Sequence, residues 1–124
     1  MLKGNTRKAI DKIGTFLEQN YSSEGRFAFY RLWIECLDQD KDYSGLVALR
    51  EHFLLRADDS DYSIEYTALM GMIHLACDEF EAAELLATTY DRKFSTRYMD
   101  EFYHSYLYRV QSVNRIHIPF INNR

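Results

Sequence analysis

The sequence predicts an all-α fold built from paired helices, and three observations predict it. Apolar residues recur at intervals of three and four rather than two, the spacing that lines one face of a helix. Pro119 is the only proline, so no proline breaks a helix before the last few residues. Two stretches, "YRLWIECLDQDKDYSGLVAL" and "TALMGMIHLACDEFEAAELL", also share one helix–turn–helix pattern, with Tyr43 and Phe80 in matching places 37 positions apart. Periods of that size are typical of helix pairs that bury their apolar faces only by stacking on a neighbour.

A first helix is expected over about Leu2 to Gln19, with Ala9, Ile10, Ile13, Phe16 and Leu17 on one face. The run "NYSSEG" ends it and offers Ser22 or Ser23 as the cap of the next. A second helix, about Gly25 to Leu37, turns Tyr30, Trp33, Ile34 and Leu37 inward. Asp42 can cap a third, about Tyr43 to Leu55, because its carboxylate accepts bonds from first-turn N–H groups that have no partner within the helix. Leu46, Leu49 and Phe53 are its inward residues. The polar run "RADDSD" is a loop, closed by Ser60 or Asp61 as the cap of a fourth helix, about Tyr62 to Ala76. After a break at Cys77 to Glu79, a fifth helix, about Phe80 to Tyr90, carries Phe80, Ala83, Leu86 and Tyr90 inward. Ser95 or Thr96 opens a sixth, to about Asn114, bearing Tyr103, Tyr106, Leu107, Val110 and Val113. The tail "RIHIPFINNR" alternates and holds Pro119, so it does not prolong that helix.

A chain of 124 residues with 47% apolar content is one domain with enough material for a single core, here residues 1–124. A net charge of −4 argues against a nucleic-acid or anionic-membrane surface, and Arg92, Lys93 and Arg97 read as a solvated rim. Cys36 and Cys77 are far apart and form no C-x-x-C pair, which points to two reduced, buried thiols. No signal-peptide pattern opens the chain and no apolar run approaches the length of a membrane span, so the expected location is the cytoplasm.

The run "DQDKDYSG" places Asp38, Asp40 and Asp42 at alternate positions, as a calcium loop does. Such a loop also needs Gly at its sixth position and a bidentate Glu at its twelfth, and these positions hold Tyr43 and Leu49. The run is read as the turn of the first helix pair, matching "ACDEFE" in the second.

The repeated unit resembles the tetratricopeptide repeat. In the second unit the pattern falls on Thr67, Met70, Gly71, His74, Phe80 and Ala83, with Tyr90 near the end; in the first it falls on Tyr30, Trp33, Ile34, Leu37, Tyr43 and Leu46. Ile34 and Leu46 replace the family's small residues, neither unit has its closing proline, and the sixth helix matches only a first helix, through Tyr103, Tyr106, Leu107 and Val110. The resemblance covers about two-thirds of the chain. It implies a right-handed α-solenoid of about two helix-turn-helix repeats, residues 25–55 and 62–91, with flanking helices at 1–20 and 95–114 and a tail at 115–124. In that packing Gly71 and Ala83 let facing helices approach, while Trp33, Tyr30, Phe80 and Tyr103 fill the spaces between pairs.

No nucleophile with a base, phosphate loop or metal-ligand spacing is visible, so no catalytic residue, metal ligand or cofactor is expected and the chain reads as a non-enzyme. His74 reads as a core histidine with one satisfied hydrogen bond, His52 and His117 have no partner suggested by spacing, and Glu79, Glu81 and Glu84 read as solvated groups at the fifth helix's start. The resemblance implies that first helices line a concave face, which places Arg31, Glu35 and Asp38, then Ala68, Met72 and Leu75, then His104, Tyr108 and Gln111 along one groove. The expected activity is protein–protein interaction as an adaptor or scaffold, with a partner peptide or helix in that groove and no nucleic acid or membrane. Two other readings stay open: a small chaperone shielding an apolar segment of an exported protein, and a calcium-responsive protein or enzyme without a linear motif. The tail "IHIPF" caps the array or enters a neighbour's groove, giving a homo-oligomer.

Overall fold

In the computed structural model of the chain, residues 2–57, 63–89 and 97–117 are described. They form six helices: α1 (Leu2–Asn20), α2 (Ser23–Gln39), α3 (Tyr43–Arg56), α4 (Ser63–Ala76), α5 (Phe80–Thr89) and α6 (Arg97–His117). The fold is therefore all-α. Ser22 caps α2 by accepting from Gly25 N at 3.2 Å, and Asp42 caps α3 by accepting from Gly45 N at 2.9 Å. α6 runs through Arg115, Ile116 and His117, so these three belong to the helix rather than to the tail. The expected caps Ser60, Asp61, Ser95 and Thr96, inward Tyr90 and the tail from Ile118 onward lie outside the described residues, as does the side chain of Val113.

The two helix–turn–helix turns have the same backbone geometry. Lys41 N bonds Asp38 O and Asp42 N bonds Leu37 O; 37 positions later Asp78 N bonds Leu75 O and Glu79 N bonds His74 O. Each is a Schellman ending, in which one left-handed residue turns the chain out of the helix and satisfies its last carbonyls. That residue is Lys41, with φ of 56°, in the first turn and Asp78, with φ of 59°, in the second. Neither is the glycine that this conformation favours. The residue after each, Asp42 or Glu79, starts the next helix: Leu46 N bonds Asp42 O and Ala83 N bonds Glu79 O.

α4 is the centre of the molecule. Its sequence "SIEYTALMGMIHLA" is apolar nearly all round, which is the pattern of a helix covered on every side. α2, α3, α5 and α6 all pack on it, whereas α1 packs mainly on α3. Side-chain pairs give the directions. Arg7 meets Glu51, Asp11 meets His52 and Glu18 meets Arg56, so α1 and α3 run the same way. Glu24 meets Arg97 and Arg31 meets Glu101, so α2 and α6 do too. The core between these elements holds Tyr30, Leu46, Leu49, Phe53, Tyr66, Leu69, Ile73 and Phe102 among others.

Two polar clusters lie in this core. Arg26 donates from Nε and Nη2 to the two carboxylate oxygens of Glu65 at 2.9 and 2.8 Å, both side chains being about 5% exposed or less. The fork fixes α2 on α4 in one axial position, since a slide by one turn would leave two charges buried and unpaired. The second cluster joins α1, α3 and α4: Tyr66 Oη and Arg56 Nε both donate to Glu18, at 2.9 and 2.7 Å. Beside it His52 lies 3.4 Å from Tyr30 Oη and 3.3 Å from Asp11. Gly14 makes room for that imidazole, because a Cβ there would stand 2.6 Å from Nε2. Burial pushes Tyr30 up to about 12, and it also raises Tyr66, so both phenols stay neutral donors. His52 is held below the usual imidazole range, first by burial and then by the Arg56 charge, against the opposing pull of Asp11 and Glu18.

Several inward assignments change. Phe16 is 55% exposed, because α1 turns the Ile10, Gly14, Leu17 stripe toward the core and Phe16 sits about 200° round from Gly14. Ala9 is exposed and Trp33 only half-buried, stacked on Tyr30 with ring centroids 6.1 Å apart. Tyr43 and Leu107 are also exposed rather than packed, and Cys36 is exposed. Gly71 makes room for α6 rather than for α5: a Cβ there would meet the Phe102 ring at 2.5 Å.

Three measurements check these features. In urea unfolding, Lys41→Gly should stabilise the chain by up to about 1 kcal/mol, since relief of left-handed strain of about 1–2 kcal/mol outweighs the glycine's entropy. Glu65→Leu alone should cost about 3–5 kcal/mol by stranding Arg26, and Arg26→Met with Glu65→Leu should recover most of that loss. For His52 the folded state binds the proton less well than the unfolded chain. Its stability contribution is therefore intact above about pH 6.5 and is lost as the pH falls toward the folded value. The urea midpoint should drop between about pH 7.5 and pH 5.5, and drop less in His52→Gln.

Candidate interaction groove

α2 and α6 lie side by side over α4, joined along their first halves and parted along their second. Glu24 pairs with Arg97 at 2.9 Å, the rings of Phe27 and Tyr98 stand 4.7 Å apart, and Arg31 pairs with Glu101 at 3.0 Å. Past Arg31 the space between the two helices is a groove of about 610 Å³. Its cause lies below: Phe102 anchors α6 over Gly71, while the Arg26–Glu65 fork anchors α2 two turns earlier on α4. The floor is apolar, made by Met72, Leu75 and Ala76 of α4 with Ile34 of α2, each no more than 8% exposed. Spacings of three and four put Arg31, Glu35 and Asp38 in a row along one wall. The other wall carries His104, Ser105, Tyr108 and Arg109.

Seven of the nine residues expected from sequence, Arg31, Glu35, Asp38, Met72, Leu75, His104 and Tyr108, line this one groove. Ala68 does not; it is fully buried in the core beneath α2 and α6. Gln111 is exposed but lies nearly a turn beyond Tyr108, outside the lining. Met72 and Leu75 form a nearly covered floor rather than a raised strip. Ile34, Ala76, Glu101, Ser105 and Arg109 were missed. Spacing assigns Ile34 wholly to the core, and no spacing rule reveals that Arg109 reaches back to the α4–α5 turn.

Charges on the walls are unevenly satisfied. Arg109 donates to Asp78 at 2.8 Å and to Leu75 O at 3.0 Å, and Arg31 is engaged by Glu101. Glu35 and Asp38 have no ion-pair partner among the described residues. Tyr108 is 70% exposed, an open aromatic face at the groove's edge.

A second, shallower cavity of about 760 Å³ lies at the α4–α5 turn. There Glu79 contacts His74 Nδ1 at 2.8 Å and accepts from Arg50 at 2.6 Å, so it is a paired group rather than the solvated one expected. Burial pushes its carboxyl up, but the hydrogen bonds from His74 and Arg50 outweigh this and hold it below the usual range. His74 makes the one hydrogen bond anticipated for it, and the arrangement ties α3 to the turn.

The three aspartates of "DQDKDYSG" have separate tasks: Asp38 lines the groove, Asp40 ends α2 and Asp42 caps α3. Among the described residues no group of three His, Cys, Asp or Glu side chains is placed to hold a metal ion, and no helix is long and apolar enough to cross a membrane. No protein-family profile, curated protein or solved structure matches the chain, so its functional reading stands on its own geometry.

Proposed function

We propose that the chain is a non-catalytic protein-interaction module, an adaptor that holds a segment of a partner protein in the groove between α2 and α6. The observation that carries this reading is the groove itself: an apolar floor between two polar walls, open past the Arg31–Glu101 pair. Ligand sites of this size are concave and mostly apolar, with a few polar groups that fix orientation. The repeated Schellman turns and the parallel run of α2 and α6 over α4 support an arrangement like that of tetratricopeptide repeats, a short right-handed superhelix of helix pairs. In such arrays the parallel first helices form the binding face. Such a groove takes one extended strand or one helix laid along its floor.

Tyr108 is the residue to change first, since its exposure makes it a contact without making it part of the core. Met72 lies too deep for that purpose. Affinity capture with the intact chain, followed by mapping of the bound segment, should give a partner whose retention falls by more than tenfold for Tyr108→Ala with His104→Ala, about 2 kcal/mol as expected for an aromatic anchor. Helicity measured by circular dichroism should stay unchanged. Retention equal to that of the unaltered chain would remove the groove from the binding site.

A further inference from the structure

From the groove's charge pattern we infer the chemistry of its occupant: a protein segment presenting a lysine or arginine beside a large apolar side chain, the cation at Glu35 and Asp38 and the apolar group on Ile34, Met72 and Leu75. This rests on reading the groove as the interaction site, and it decides what kind of segment fits.

The groove's two cations are already engaged. Arg31 is held by Glu101 at 3.0 Å, and Arg109 by Asp78 and by the Leu75 carbonyl. An acidic segment would therefore meet cations whose charge is already offset by a carboxylate. The free charges are the carboxylates of Glu35 and Asp38, a turn apart on the same wall and without an ion-pair partner among the described residues. They lie in the last turns of α2, which has no basic residue in its final turn to offset the negative end of the helix dipole. α4, which carries Met72 and Leu75 in the floor, ends at Ala76 in the same part of the groove. The C-terminus of α2 and two carboxylates thus place negative potential over an apolar floor, where low-dielectric walls strengthen its pull on a cation, while the end of α4 is met by Arg109 at the Leu75 carbonyl. Across the gap the exposed ring of Tyr108 offers a flat face on which an ammonium or guanidinium can rest. The net charge of −4 favours the same sign of ligand at long range.

The test uses the intact chain and two fluorescein-labelled amphipathic peptides with identical leucine positions, one carrying lysine and the other glutamate at its polar positions, read by fluorescence anisotropy at about 50 mM salt. The lysine peptide should bind at least tenfold more tightly than the glutamate peptide. Glu35→Lys with Asp38→Lys should weaken the lysine peptide by tenfold or more, whereas Glu81→Lys with Glu84→Lys, an equal change of net charge on α5 outside the groove, should leave it within twofold. Circular dichroism of each variant establishes that it is folded. Equal losses in the two double variants, or no binding of the lysine peptide, would overturn the inference. If both peptides bind alike and Tyr108→Ala weakens both, the groove stands and the basic occupant falls. Binding indifferent to Tyr108→Ala would remove the groove itself. Sedimentation without peptide distinguishes a self-made occupant: a dimer dissolved by Glu35→Lys with Asp38→Lys would give the groove to a second copy of the chain and overturn a separate partner.

Discussion

The two hydrogen bonds from Arg26 to Glu65 set where α2 can lie on α4, and the placement of the α2–α3 hairpin and of one wall of the groove follows from that seat. An aliphatic contact in this place would tolerate sliding, because apolar packing is non-directional. A buried bidentate pair tolerates none, since each step along the helix would separate the charges in a low-dielectric interior. With α2 seated, Tyr30 packs against Phe53 and Tyr66, and the hairpin to α3 brings His52 and Arg56 against α1. The same seat turns Arg31, Glu35 and Asp38 away from the core and toward α6.

On the other side of α4 a vacancy rather than a bond sets the geometry. Gly71 leaves the space that Phe102 occupies, so α6 lies close to α4 at that level. α2 and α6 are thus fixed by different devices at different heights. They touch at Glu24–Arg97, Phe27–Tyr98 and Arg31–Glu101 and then part. The groove is the consequence of that divergence. Its floor is the part of α4 that neither neighbour covers, which is why Met72 retains a trace of exposure while Ala68, one turn earlier, has none.

Stability and surface chemistry meet in the two turns. Each uses an L-residue where glycine would be easier, and in the second the choice has a visible return: Asp78, held left-handed, presents its carboxylate to Arg109 and so secures α6. Glu79 beside it gathers His74 and Arg50, joining α3 to the α4–α5 corner. The first turn shows no such return for Lys41, and its aspartates leave that end of the groove acidic. The difference between turns of the same backbone form is what gives the groove one negative end.

Local order was legible in the chain because its causes are local. The spacing of Leu46, Leu49 and Phe53 and the serine and aspartate caps at Ser22 and Asp42 act within a turn or two, and with the recurrence at 37 residues they marked the six helices, the starts of α2 and α3 and the all-α class. The row of Arg31, Glu35 and Asp38 followed from the same periodicity. Facing was less legible: Leu17 and Tyr30 are covered as their spacing predicts, but Phe16 and Trp33 share that apolar character and only the placement of α3 and α4 decided that they would not be fully covered. Pairings across 39 residues, Arg26 with Glu65, or 34, Arg109 with Leu75 O, carry no mark in sequence, because charge identity does not encode a distant partner. Sequence by itself determined six helices and a stripe of polar residues; tertiary structure decided which carboxylates were neutralised and which were left facing an open apolar floor, since that depends on where helices far apart in the chain come to rest.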